Sequence, residues 1–466
     1  MLTYSFDNMG DASLYEHLYK CIKNDIIHGV LTADMKLPSK RSFAANLGVS
    51  AITVENAYAQ LLSEGYIYSI AKKGYYVSDF SKHLAETTSY GEDREVLQPE
   101  RPVYFADFSS NQTRPDNFPF SVWAKLMRET MNDKNNELMT RPPCGGIYEL
   151  REAIAGHLRQ FRDIHVSPEQ IFVGAGTEYL YGLLIQLLGF DKTYAIEHPG
   201  YEKIAQIYDS YQVQRCLVNM DGQGIRIDEL ESCQADVVHI SPSHHFPTGL
   251  VTPISRRYAL LSWAAKSDSR YIIEDDYDSE FRLTGKPIPA LQSIDLMDKV
   301  IYVNTFSKSL ASTMRISYMV LPPSLARRFL SEMSFYSCTV SNFEQYALMR
   351  FLREGYFEKH INRMRNHYHK QRDYLLEIIK NSPLSSYVSI TEEDAGLHFL
   401  MKIDTDIPDA LLIERALQKG IRINSLSQYY TAPPENAEHI FIINYSYLET
   451  AHIPEAIERL YRCLQE

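Results

Sequence analysis

VIYVNTFSKSLASTMRISYMVLP, residues 300–322, is the stretch on which the reading of this chain turns. Its first apolar run is strand-like and ends in TFSK; a hydroxyl-rich connection then leads through Arg315 into a second strand-like run. One lysine, Lys308, stands among small hydroxyl side chains. A lysine that reacts with a carbonyl must be partly neutral and held against its partner, and Thr305, Ser307 and Arg315 are residue types that bind a phosphate dianion. Taken alone, Lys308 reads as an ordinary surface lysine. Three other stretches change that reading.

IEDDY, residues 273–277, closes a strand with carboxylates and a phenol at the carboxyl end, where α/β sheets present ligand groups. Asp275 there suits a protonated ring nitrogen and Tyr277 a ring oxygen. A metal-binding carboxylate pair or a helix N-cap explains the same segment equally well. VGAGT, residues 173–177, joins a strand to a helix, so backbone N–H groups at Ala175, Gly176 and Thr177 can cradle phosphate. HPGYEK, residues 198–203, puts Tyr201 at a helix start, placed either to stack on an aromatic ring or to pack in the core.

Around these stretches, from about residue 105, short β-rich segments (IFVGAG, TYAIE, DVVHIS, YIIEDD, VIYVNTF) alternate with helical ones. The pattern predicts an α/β fold, a mainly parallel sheet covered by helices. After about residue 354 a long helix, strands near HFLMKI and HIFIINY, and helices near LLIERALQK and IPEAIERLYRCL predict a smaller α+β lobe.

The N-terminal part differs. Residues 13–28 repeat Leu14, Leu18, Cys21, Ile22 and Ile26 at helical spacing before Gly29 and Pro38 break the pattern. Ser39 is the expected N-cap of a second helix through Leu47, and Ser50 that of a third through Ser63, with Gly48 in the turn between them. Two helices on a four-residue LGVS turn make a helix-turn-helix, and YIYS and GYYVS then form a hairpin with Lys72 and Lys73 at its tip. Lys40, Arg41, Lys72 and Lys73, with Ser50 and Thr53 at the leading turn of the third helix, are the expected DNA contacts. Singly, those lysines read as solvated surface charges. The division is a winged helix-turn-helix domain over residues 1–80, a polar linker of mixed charge over 81–104, and the α/β domain over 105–466.

With 466 residues and 53.7 kDa the chain is too long for one small module, and its 45% hydrophobic and 23% charged residues are those of a globular protein. Apolar runs such as residues 181–188 fall short of the roughly 20 residues of a bilayer span. The opening MLTYSFDNMGDASLYEH has neither a basic nor an apolar signal region, so a cytoplasmic location is expected. Six cysteines without a CxxC pair predict reduced thiols and no metal site. The net charge of −12 argues against a chain that coats nucleic acid, although residues 33–77 carry a local +2.

LYEHLYKCIKNDIIHGVL, KLPSKRSFAANLGVSAITVENAYAQLLSEGYI and KKGYYV, in order over residues 13–78, resemble the DNA-binding head of the GntR family. One departure is Ala51, where that family usually has Arg. Residues 105–466 resemble the fold type I pyridoxal-phosphate (PLP) enzymes of the aspartate aminotransferase superfamily. SPSHHFPTG, IEDDYDSEF and TFSKSLASTMRISYMV resemble above all the MocR-type regulators, in which a GntR head precedes such a domain. The resemblance implies PLP held as an aldimine on Lys308, with Asp275 on the ring nitrogen, Tyr277 on the ring oxygen and Tyr201 stacked. Ala175, Gly176, Thr177, Thr305, Ser307 and Arg315 would hold the phosphate.

It also implies a homodimer with its sites near the subunit interface, whose two heads read an operator of two half-sites. Where working aminotransferases usually have Asn before Pro-Thr-Gly this chain has Phe246, and where many have an Arg clamp for the substrate carboxylate it has Ile442, with only Arg415 and Arg422 nearby. Transamination should suffer from both changes. The expected function is a PLP-binding transcriptional regulator that senses PLP or an amine through aldimine formation, with Lys203 as a cation for an anionic effector. An active aminotransferase is the alternative; a scaffolding protein would leave Lys308, Asp275 and Arg315 without purpose.

Overall fold

The computed structural model describes residues 2–6, 13–79, 103–282, 289–392, 396–434 and 437–465. Two compact units divide at Arg101. The expected linker lies, as far as residue 102, outside the described residues.

In the first unit three helices, α1 (Leu14–Ile27), α2 (Lys40–Leu47) and α3 (Ala51–Ser63), precede a hairpin of β1 (Ile67–Ile70) and β2 (Gly74–Val77). The local chemistry sets the breaks. Ser39 Oγ accepts the Ser42 N–H at 3.2 Å, Ser50 Oγ accepts that of Thr53 at 3.1 Å, and Gly48 takes φ +69°, which a side chain would resist. One apolar face of each helix meets in a core of Leu18, Ile22, Phe43, Val54, Tyr58 and Leu61, closed by Ile67 and Val77 of the hairpin. That closure fixes the wing register, Ile67 opposite Val77.

In the second unit β3 (Ala106–Asp107) precedes an eight-stranded sheet. Its strands are β4 (Ile171–Gly174), β5 (Thr193–His198), β6 (Gln214–Asp221), β7 (Gly224–Ile225), β8 (Val237–Ile240), β9 (Tyr271–Asp275), β10 (Val300–Thr305) and β11 (Ser317–Val320). Their spatial order is β4-β11-β10-β9-β8-β5-β6-β7. The central run from β10 through β9, β8 and β5 to β6 is parallel, and β11 and β7 pair antiparallel. Strands such as VVHI and VIYVNT are buried at every position because helices cover both faces, which is why they read as apolar runs rather than alternations.

The carboxyl ends of β5, β8, β9 and β10 therefore open on one edge of the sheet. The smaller lobe adds the 26-residue helix Tyr356–Asn381 and an antiparallel sheet of β12 (Val388–Thr391), β13 (His398–Ile403), β15 (Asn424–Ser425) and β16 (Ile440–Asn444). A short β14 (Ile421–Arg422) pairs with β3, Arg422 opposite Asp107. Among the described residues no helix is long and apolar enough to cross a membrane. All six cysteines are free, yet two that stand apart in sequence, Cys216 and Cys233, meet Sγ to Sγ at 2.6 Å.

Candidate functional site

The sheet edge opens into a cavity of about 900 Å³ whose lining includes Lys308, Asp275, Tyr277, Tyr201, Arg315 and Arg422. Lys308 arrives there because β10 stops at Thr305, whose Oγ1 accepts the Ser307 N–H at 3.1 Å and so caps the one-turn helix Phe306–Ser309. Lys308 Nζ donates to the Asn111 carbonyl at 3.0 Å. Burial lowers its pKa to about 8 against the opposing pull of Asp278 and Asp275, leaving an appreciable neutral fraction near neutrality.

Asp275 is singled out from its acidic neighbours by strand alternation. Glu274 and Asp276 face away from it: Glu274 accepts the Leu291 and Gln292 N–H groups, and Asp276 pairs with Arg162 at 2.7 Å. On the cavity side Tyr181 Oη donates to Asp275 Oδ2 at 2.6 Å, while buried Oδ1 has no partner. Behind it, His239 stacks edge-on to Tyr181 and shares a hydrogen bond with Tyr208 at 3.0 Å. The metal alternative for this segment wants both acids on one face, and among the described residues no cluster of three His, Cys, Asp or Glu suits a metal ion.

After β4 Gly176 takes φ +95°, and a Cβ there would strike the Arg315 guanidinium. Thr177 opens the helix Thr177–Leu188 and lines the cavity beside Thr305 and Ser307. Their hydroxyls are partly engaged, Ser307 Oγ donating to the Met314 carbonyl at 2.8 Å and Ser317 Oγ to Thr305 Oγ1 at 2.8 Å. Ala175 gives its N–H to Thr339 Oγ1 at 2.9 Å and is not among the lining residues. Glu178 bridges Arg315, at 3.2 Å, and Lys203, whose charge is thus already matched.

Tyr201 is half-exposed and meets Phe246 edge-on, rings perpendicular at 5.9 Å. Phe246 in turn packs against Tyr429 and His398, so an apolar edge stands where an amide would donate. Tyr277 is half-buried, desolvation raises its pKa well above the ordinary phenol value, and its hydroxyl lies 3.3 Å from His244 Nδ1. His244 also contacts Asp278 at 2.7 Å and packs on His398. Beside them Glu197 is pushed up to about 8 by burial, 3.6 Å from His245. These histidines escaped the sequence reading, although the HH of SPSHHFPTG was the available signal. Ile442 is buried between Leu400 and Asn424 in the small-lobe sheet and does not line the cavity; Arg415 donates to the Cys463 carbonyl elsewhere. Arg422 does line it.

The residue set fits PLP. A half-buried amine of lowered pKa, an unpartnered buried carboxylate oxygen and an arginine lying over a glycine beside a hydroxyl-capped helix match its aldehyde, ring nitrogen and phosphate.

On the head, Arg41, Ser50, Lys72 and Lys73 are exposed and Thr53 is half-buried, at the starts of α2 and α3 and the tip of the wing. Lys40 is tied to Glu55 at 2.6 Å, so its charge is offset within the head. The exposed face of α3 also carries Ala51, Ile52 and Asn56; the sequence reading passed over Asn56, which has the amide that pairs with adenine edges.

Comparison with known proteins gives two family matches, Aminotransferase class I and II over residues 105–460 and Bacterial regulatory proteins, gntR family, over residues 14–77. The chain is 38% identical to the uncharacterized HTH-type transcriptional regulator YdeL of Bacillus subtilis, covering 91% of each chain. It is 29% identical to the HTH-type pyridoxine biosynthesis transcriptional regulator PdxR of Corynebacterium glutamicum, over 90% of this chain and 89% of that one. Among solved structures, the kynurenine aminotransferase of Pyrococcus horikoshii, crystallised in complex with PMP, superposes with a TM-score of 0.68 at 26% identity, over 82% of this chain and 96% of that one.

Proposed function

This chain belongs to the MocR-type regulators, HTH-type transcriptional regulators that join a gntR-family head to a class I and II aminotransferase domain, and from that membership we propose that it is a cytoplasmic homodimer sensing PLP or an amine at Lys308 and reading paired half-sites on DNA. The observation that carries this reading is Lys308 itself, a half-buried amine of lowered pKa in a cavity that also holds the unpartnered Asp275 oxygen. When bound, PLP supplies an aldehyde carbon at which one amine replaces another.

The chain's own groups do the rest. With PLP bound, Asp275, fixed by Tyr181, would hold a proton on the ring nitrogen, Tyr277 would serve the ring oxygen and Tyr201 would cover a ring face. Thr177, Thr305, Ser307 and Arg315 would hold its phosphate, Gly176 leaving room for the guanidinium. Because Phe246 brings no amide to the ring oxygen and Ile442 no cation to the cavity, substrate positioning is weak, and turnover of common amino acids with keto acids should be very slow. Rapid repeated turnover would favour the aminotransferase reading.

On DNA the overall −12 charge leaves affinity to local contacts by Arg41, Lys72, Lys73 and the helix N-termini of each head. Lys40 contributes there only once released from Glu55. Single heads of this kind bind weakly, and two on one dimer gain by avidity. The full-length protein should bind its own upstream DNA in preference to unrelated DNA of the same length at moderate salt. Arg41→Ala should weaken that binding and reduce the salt slope by about one. Equal binding to both DNAs, with and without PLP, would sink the regulator reading.

A further inference from the structure

Of the six free cysteines, two are brought together by the fold outside the cavity. Cys216 lies in β6; the chain then turns back through β7, runs along the helix Ile227–Ser232 and places Cys233 as its C-cap, seventeen residues on, where the two sulfurs meet at 2.6 Å. A disulfide bond measures about 2.05 Å, so the gap left to close is small. Alternation along β6 turns Cys216 to the side of Val218, at the rim of the apolar cluster that holds Ile225 and Leu230, whereas its neighbours Arg215 and Leu217 line the cavity. Both thiols are half-buried, and Cys233 stands between exposed Ser232 and Gln234, within reach of a small solute.

The two thiols are not equivalent. Cys216 donates its S–H to Cys233 Sγ, a contact that favours a thiolate at Cys233. Burial first, and then Cys233 itself, hold the Cys216 thiol above its ordinary value. The share due to Cys233 is lost once that sulfur carries a substituent.

We propose that Cys216 and Cys233 form a modification site, a dithiol that a low-molecular-weight disulfide converts reversibly into an intramolecular disulfide. The Cys233 thiolate attacks one sulfur of the reagent; that S–S bond breaks, and the expelled thiolate takes up the proton that Cys233 gave to solvent. Cys216 then attacks Cys233 Sγ in the mixed disulfide, expels the second thiolate and releases the proton that neutralises it. Two protein thiols are oxidised by two electrons, and the reagent is reduced to two thiols. In a reducing cytoplasm such a bond is transient and responsive rather than permanent. It joins β6, whose Arg215 and Leu217 form part of the cavity wall, to the end of the helix Ile227–Ser232. Neither sulfur lines the cavity, so the site stands or falls apart from the sensing role of Lys308.

The reduced full-length protein, loaded with PLP, is exposed to oxidised glutathione, quenched in acid and alkylated, and each cysteine is then assigned by peptide mass mapping. The wild type should lose the mass of two hydrogens, protect Cys216 and Cys233 from alkylation and yield one cross-linked peptide pair containing both, all reversed by dithiothreitol. Cys216→Ser should stop at a single glutathione on Cys233. Cys233→Ser should take up glutathione at Cys216 about tenfold more slowly, since that thiol has no donor to favour its thiolate. A wild type in which both thiols are still alkylated, or a cross-link that joins either of them to another cysteine, overturns the site. A C233S variant modified at Cys216 as fast as C216S is modified at Cys233 overturns the assigned roles.

Discussion

Lys308→Ala is expected to give a protein that is colourless after dialysis and gains no cofactor mass on borohydride reduction, whereas the wild type, treated alike, carries one covalently fixed PLP per chain. The effect should be complete, because no other lysine of the cavity lies at the end of β10 between Thr305 and the Arg315 end: Lys203 sits on the helix Glu202–Ser210, engaged with Glu178. A K308A protein that still fixes PLP by reduction would remove the foundation of the site.

The same lysine leaves a mark on the stability of the cofactor-free protein. Its folded pKa of about 8 lies below the ordinary value of 10.5, so between those limits the unfolded chain binds more protons than the native one. Stability from this group therefore rises with pH from about 8 to 10.5, and below 8 the native state carries the full cost of the desolvated ammonium. A shift of this size is worth at most about 3 kcal/mol. Compared with Lys308→Met, which has no such group, the wild type should gain stability over that window; parallel pH profiles for the two proteins would show that Lys308 is not desolvated as the cavity geometry requires.

How far the sequence reaches is clear from particular residues. The head was legible in detail because each of its breaks is local chemistry: Ser39 and Ser50 accept from the N–H groups three residues on, and Gly48 turns left-handed. The sheet was legible as apolar runs, and Lys308 through its setting at a strand end. What escaped is what tertiary placement decides. Nothing in LPSKR announces that Lys40 will be neutralised by Glu55, fifteen residues away, on the next helix. Arg422 was passed over as lying before the last strand, yet β3, more than three hundred residues earlier, pairs with β14 where it brings that arginine into the cavity. Ala175 belonged to the expected phosphate loop by its place in VGAGT, but Thr339 takes its N–H. In the acidic string at 274–276 Asp275 is the expected ring-nitrogen partner, and alternation in β9 sends that residue to the cavity while Glu274 and Asp276 take partners on the other side.

The other two acids of that string set up the largest effect on folding. Arg162 meets Asp276 at 2.7 Å with both side chains almost wholly buried, and Tyr302 Oη donates to the same carboxylate oxygen at 2.6 Å. Glu280 nearby is pushed up to about 7 by burial and by Asp276, and Glu274 is raised by the same two causes. Arg162→Met leaves Asp276 buried without its cation, a change that costs about 3–5 kcal/mol. The second change Asp276→Asn, which removes the stranded charge, should restore part of it. The loss should also depend on pH in a definite direction. A carboxyl group whose folded pKa is raised holds its proton longer in the native state, so its contribution falls as pH rises from about 4.5 through the folded value. Arg162 opposes that rise at Glu280, and without it the folded pKa moves further up and the fall becomes deeper. The R162M deficit, read from urea unfolding followed by near-ultraviolet circular dichroism, should therefore be larger at pH 8 than at pH 5. A deficit below about 1 kcal/mol, or one that shrinks toward alkaline pH, would mean that this cluster does not hold a buried charge pair against the back of β9.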